Sequence, residues 1–150
     1  MHCAVNDEVQ LMVKVINHVN INKILKDITS LDGTVVSAGV MDSKNATKAA
    51  INEYGTSKIP QRPFMRTAVS RHGKSWGEKS AKSVQSVIKG MPISQVTELV
   101  GMQMKADISS TLTNGPWTPN SVVTIAKKGS SRPLIDTGEL RASITYKVKK

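Results

Sequence analysis

A chain of 150 residues has room for one domain with a real core, burying roughly two-thirds of its unfolded surface. Its formal net charge of +10 favours nucleic acid or acidic partners, and a single cysteine, Cys3, rules out an internal disulfide framework. No apolar run approaches the ~20 residues of a membrane span, and Asp7 and Glu8 near the start do not fit an export signal. Aromatic residues make up only 3%, so Tyr54, Phe64, Trp76, Trp117 and Tyr146 are scarce anchors. So lean a core suggests that subunit contacts supply part of the stability.

In chain order, residues 9–16 alternate Val9, Leu11, Val13 and Val15 with Gln10, Met12, Lys14 and Ile16. That pattern reads as a half-buried strand, although Val9, Met12, Val13 and Ile16 also suit a helix face. Asn20 is placed to cap a helix with Ile21, Ile24, Leu25, Ile28 and Leu31 on one side, ended by Asp32-Gly33. The β-branched stretch 34–41 reads as a strand. Ala46, Ala49, Ala50 and Ile51 point to a short helix running into Asn52-Glu53-Tyr54-Gly55-Thr56.

Arg62 precedes a proline and is biased to extended backbone, whereas Pro63 suits the first position of a helix. The apolar stripe Met65, Ala68, Val69, His72, Trp76, Val84, Val87 and Ile88 carries that helix to about residue 89, where Gly90-Met91-Pro92 breaks it. Ile93, Val96, Val100, Met104, Ile108 and Leu112 set a second helix over about 93–113, stopped by Asn114-Gly115-Pro116. Residues 114–133 read as a long loop carrying Trp117, Pro119, Lys127, Lys128 and Arg132, a length that points to function. Residues 142–148 read as a closing strand. The expected fold class is α+β: one domain, a small antiparallel or mixed sheet packed against two longer helices.

Several motifs tempt an enzymatic reading. Ile135-Asp136-Thr137-Gly138 resembles the active-site turn of aspartic proteases, whose chemistry needs two carboxylates sharing a proton. Glu139 would place a further anion beside such a pair, and only 14 residues follow Asp136, too few for that β-rich domain. A capping box fits better, with Asp136 as N-cap and Glu139 three residues on, opening a turn at Leu140-Arg141. Gly73-Lys74-Ser75 lacks the earlier glycine of a phosphate loop, since position 68 is alanine, and it lies within a helix. His2, Cys3, His18 and His72 have no metal-ligand spacing. No catalytic, cofactor-binding or metal-ligating set is expected.

Between Lys58 and Lys89 the chain has Lys58, Arg62, Arg66, Arg71, Lys74, Lys79, Lys82 and Lys89 against one acid, Glu78. Arg62, Arg66, Arg71 and Lys74, with Lys127, Lys128 and Arg132, form the candidate contact set for DNA or an acidic partner. Arg62, Arg66 and Lys74 are expected to share a helix face. Aromatics for base stacking are nearly absent, because Phe64 and Trp76 are expected in the core.

The remaining motifs carry a resemblance. Asn52-Glu53-Tyr54-Gly55-Thr56, Ile59-Pro60-Gln61-Arg62-Pro63-Phe64, Trp117 followed by Pro119 and Thr124, the Lys127-Lys128-Gly129 stretch and Pro133-Leu134-Ile135-Asp136-Thr137-Gly138-Glu139-Leu140 occur in an order resembling the phage virion morphogenesis and tail-completion (neck) proteins. The likeness runs over about 34–148 and leaves 1–16 as an N-terminal extension. It implies a non-enzymatic part of the virion, assembled in the bacterial cytoplasm as a ring, and by that likeness a hexameric one. Implied partners are its own copies, the tail tube or tail terminator and the head connector, with DNA passing through the lumen and no membrane. The residues implied in assembly are Glu53, Tyr54, Gly55, Pro60, Arg62, Pro63, Phe64, Trp117, Pro133, Leu134, Asp136, Thr137, Gly138 and Leu140. Physics adds expectations for some of them. Gly55 permits a turn, Pro60 and Pro63 stiffen an exposed segment, and Glu53 and Arg62 are of opposite charge and able to pair. The long basic segment 117–132 is expected to order on assembly. The rival function is basic DNA binding by helix 58–89.

Overall fold

Helix α1 (Ile21–Leu31) opens the residues that the computed structural model describes, 21–150. The strand expected over 9–16, the Asn20 cap and the 1–16 extension lie outside them. Ile24, Ile28 and Leu31 turn one half-buried edge of α1 toward helix α3 (Phe64–Ile88), while Ile21 and Leu25 stay exposed. Gly33, at φ 75°, reverses the chain into strand β1 (Val35–Val40). This strand pairs antiparallel with the closing strand β2 (Ile144–Lys149), from Val35 opposite Lys149 to Val40 opposite Ile144.

Helix α2 (Ser43–Tyr54) starts where the Asp42 carboxylate accepts the backbone N–H of Asn45 at 2.8 Å, an N-cap that satisfies an orphan donor. It is longer than the short helix its alanines suggested. Gly55 ends it at φ 72° and ψ 177°, backbone that only glycine adopts readily. A side chain there would also press on the Ile59 carbonyl and the Gln61 amide, each 3.0 Å from a Cβ.

The two long helices run as expected, α3 for 25 residues and α4 (Ile93–Asn114) for 22, with Gly90 turning the chain between them at φ 97°. They pack along each other, and the sheet lies on this pair, mainly on α4. Gly101 lets the Tyr146 ring lie directly on the α4 backbone, since a Cβ there would overlap it. Phe64, Ala68, Trp76, Ile108, Leu112, Leu140 and Ile144 make the core with Ala49, so α2, both long helices and β2 contribute to it, with Ala38 and Val40 of β1 packed against it. Phe64 is wholly buried, and burying such a side chain is worth about 2–3 kcal/mol. The apolar stripe on α3 is only partly realised: Phe64, Ala68, Trp76 and Val87 turn inward, whereas Val69, Val84 and Ile88 fall off that face and are exposed.

The long loop expected over 114–133 contains an element. Helix α5 (Val122–Lys128) is capped by the Ser121 hydroxyl, ends at left-handed Gly129, and carries Lys127 and Lys128 in its last turn. The expectation that this segment orders only on assembly also gives way. Arg62 and Asn120 tie it to its surroundings within the single chain. Helix α6 (Glu139–Ala142) then leads into β2. The described residues form one α+β domain. No helix among them is long and apolar enough to cross a membrane.

Candidate functional site

The two motif regions, far apart in sequence, face each other across one groove of about 730 Å³. Ile51 and Asn52 of α2, the Lys58-Ile59-Pro60 turn and Arg62 line one side. Leu134, Asp136, Thr137, Gly138, Glu139 and Leu140 line another, and Pro119, Asn120, Ser121, Thr124 and Lys128 complete it. Its walls are apolar where Ile51, Ile59, Pro60, Leu134 and Leu140 meet, and basic at Lys48, Lys58 and Lys128.

Arg62 builds this site. Its main-chain N–H donates to the Asn52 carbonyl at 2.7 Å, which turns the segment back onto α2. Its side chain, 6% exposed, donates to the carbonyls of Thr118 and Pro119 and to Asn120 Oδ1 at 3.0, 3.4 and 3.2 Å. A planar guanidinium can serve several oxygens in one fork, which an ammonium cannot. Burial pushes its pKa below the ordinary arginine value. Asn120 continues the chain of contacts, donating to the carbonyl of Arg132 at 3.2 Å just before the second motif.

The expected Glu53–Arg62 pair does not form. Arg62 is turned to the 118–120 carbonyls, and Glu53 faces the start of α3 instead. There the Glu53 carboxylate accepts the backbone N–H groups of Met65 and Arg66 at 2.9 and 3.0 Å, and Arg66 Nε at 3.0 Å. Helix α3 needs this, because Pro63 in its cap position offers no side-chain acceptor. A negative charge at that end also meets the positive end of the helix dipole. The Arg66 guanidinium lies over the Tyr54 ring, 5.2 Å from its centre, and Tyr54 is 70% exposed.

The capping box expected at Asp136 is likewise not formed. Gly138, left-handed at φ 79°, occupies the cap position of α6, which puts Asp136 two residues too early. The Glu139 carboxylate reaches out to Lys44 and Lys48 on α2, at 2.7 and 2.8 Å, and so ties the second motif to the helix leading into the first. Leu134 holds φ 62°, unfavourable for a bulky side chain, and it packs against the core. Strain of that kind collects at functional positions. Pro133 and Trp117 are half-buried behind the groove, with Trp117 Nε1 donating to the Leu112 carbonyl at 2.9 Å.

Hydrogen bonds from Lys44 and then Lys48, with their charges, pull the Glu139 carboxyl down from its ordinary 4.5 to about 2. A pKa lowered in the folded state adds stability that is complete above pH 4.5 and lost as pH falls toward 2. Lys44 is raised above 10.5 by the same hydrogen bond, so its share is complete below 10.5 and lost as pH rises through the folded value. Because the cluster is open to solvent the contribution is modest. Glu139→Gln is therefore expected to be less stable than the parent at pH 7, with the difference shrinking by pH 3 in urea unfolding.

The basic contact set is not one patch. Arg62 is buried, Arg66 is engaged by Glu53, and Arg62 precedes α3 rather than sharing a face with Arg66 and Lys74. Arg71 and Lys74 are exposed on α3; Lys127 and Arg132 are exposed and Lys128 half-buried around α5. Among the described residues no group of three or more His, Cys, Asp or Glu is placed to hold a metal ion. No family profile, curated protein or solved structure matches the chain.

Asn120, Lys44, Lys48 and Ser121 join the site without having stood out in the sequence. Ser121 had a readable signal, a capping serine before an apolar pair, with lysines and then glycine at the far end. The lysines had none, since surface lysines on a helix are ordinary.

Proposed function

We propose that the chain is a structural subunit of a phage head–tail junction or tail terminus, working by ring assembly rather than by chemistry. The observation that carries this reading is the meeting of the two resemblance motifs on one groove. Motifs that merely held the core would have no reason to share an open surface. The chain beside the groove supports the same reading: Val122 and Val123, at 83% and 66% exposure, leave apolar area between groove residues Ser121 and Thr124. Exposed apolar side chains next to a groove suit a protein contact. A groove on one subunit receiving a different surface of the next is a heterologous contact, the kind that closes into rings.

The groove carboxylates fit acid–base chemistry poorly, because Glu139 is held ionised by two lysines. DNA binding is the rival reading, and it loses Arg62 to internal bonds and has Arg66 partly engaged. Purified full-length protein is expected to form rings by electron microscopy, and virions lacking it to accumulate finished heads beside unjoined or overlong tails. A strict monomer at high concentration that never joins particles would overturn the proposal. Binding to duplex DNA that weakens steeply with salt would favour the rival.

A further inference from the structure

Residues 1–20 differ from the rest of the chain in charge. Asp7 and Glu8 against Lys14 leave them with a net charge of −1, whereas the remaining residues carry +11. Asp7-Glu8 is the only adjacent pair of acids in the sequence, and Val5, Val9 and Leu11 flank it. A segment with one pair of acids set among apolar residues complements a groove with apolar walls and lysines at its edge. The motif groove has Ile59, Pro60 and Leu134 beside Lys58 and Lys128, and its own acids, Asp136 and the lysine-paired Glu139, are outnumbered by its cations. Lys58 makes no hydrogen bond through its ammonium within the described residues, so it remains available to an acid.

The place where the segment joins the fold matters as much. It enters through α1, whose Leu31 borders a different groove with Val36, Trp76 and Val84. None of the residues lining the motif groove comes from α1. Twenty residues of chain span up to about 70 Å when extended, several times the ~15 Å radius of gyration of such a domain. A neighbouring subunit is within that reach.

We infer that residues 1–20 of one copy seat in the motif groove of the next, with Asp7 and Glu8 against the lysines at its edge. This rests on the ring-subunit reading and names the contact that joins neighbours. Donor and acceptor are different surfaces, so the contact repeats around a ring. Opposite charge selects the segment over the rest of a basic chain, which the groove repels.

The native Cys3 makes the test possible in the full chain. Thr137→Cys places a second thiol in the groove, and Ser75→Cys places one on the exposed face of α3 as a control. With a flexible bis-maleimide, Thr137→Cys is expected to give a ladder of chains linked to one another, and Ser75→Cys little. Adding Asp7→Lys and Glu8→Lys should cut the Thr137→Cys ladder about tenfold, the effect of setting like charges together. Linkage only within single chains would overturn the inference in favour of self-docking. Equal ladders from the two positions, or a ladder untouched by charge reversal, would also overturn it. Rings seen by microscopy without groove linkage would reject the segment as occupant while leaving the ring reading intact. No oligomer of any kind would remove both.

Discussion

Arg62→Ala is expected to lower stability by about 3 kcal/mol. The buried guanidinium donates to the Thr118 and Pro119 carbonyls and to Asn120 Oδ1, and its removal leaves those oxygens without their donors. Hydrogen bonds from a charged donor are worth roughly 1.5–3 kcal/mol each, and less where water can reach the acceptor, as at exposed Thr118 and Pro119. Two of the three bonds are longer than 3.1 Å, which argues for the lower part of that range. For a chain of this size the loss lowers the melting temperature by about 6–12 °C. Arg62→Lys should recover little, because one ammonium cannot replace the fork. The same change should release the 118–132 segment, so trypsin would cut faster at Lys127, Lys128 and Arg132. A melting temperature within about 2 °C of the parent would show that the groove does not depend on Arg62.

Glu53→Ala should cost a similar 3–4 kcal/mol by a different route. It removes an acceptor from the first turn of α3, where the Met65 and Arg66 N–H groups have no other partner in the helix. It also leaves Arg66 without its carboxylate. Glu53→Gln keeps one carbonyl acceptor but turns an amide N–H₂ toward other donors, and should cost about half as much. Arg66→Ala is the internal control: its side chain is 55% exposed, so the expected loss is about 1 kcal/mol or less. Chemical unfolding of the three variants separates the roles. Equal losses for Glu53→Ala and Arg66→Ala would mean that the ion pair, and not the helix cap, is what matters.

The two long helices, β1 and the closing strand were legible because each carries a period and a stop signal that its own residues supply. Proline before α3, Gly90-Met91-Pro92 after it and Asn114-Gly115 after α4 are local chemistry, and the structure keeps all of them. The partner choices were not legible. Glu53 and Arg62 have opposite charge and lie nine positions apart, which invites pairing. The backbone bond from Arg62 to Asn52 instead turns the arginine toward a loop more than fifty residues downstream. Asp136 and Glu139 have capping-box spacing, yet left-handed Gly138 moved the helix start past Asp136. In both cases a glycine or a backbone contact outweighed a side-chain pattern. The groove itself could not be read from order alone, since no periodicity says that residues 58–62 face residues 134–140.

The central claim is that this groove and its rim join subunits. The most direct measurement compares assembly and folding in one variant, Val122→Asp with Val123→Asp. Both valines are exposed on α5 and make no part of the core, so the change should leave the melting temperature within about 2 °C of the parent. Mass photometry and electron microscopy of that variant should then show monomers where the parent forms rings. Rings that persist at the parent's concentration, with the fold unchanged, would mean that subunits meet elsewhere.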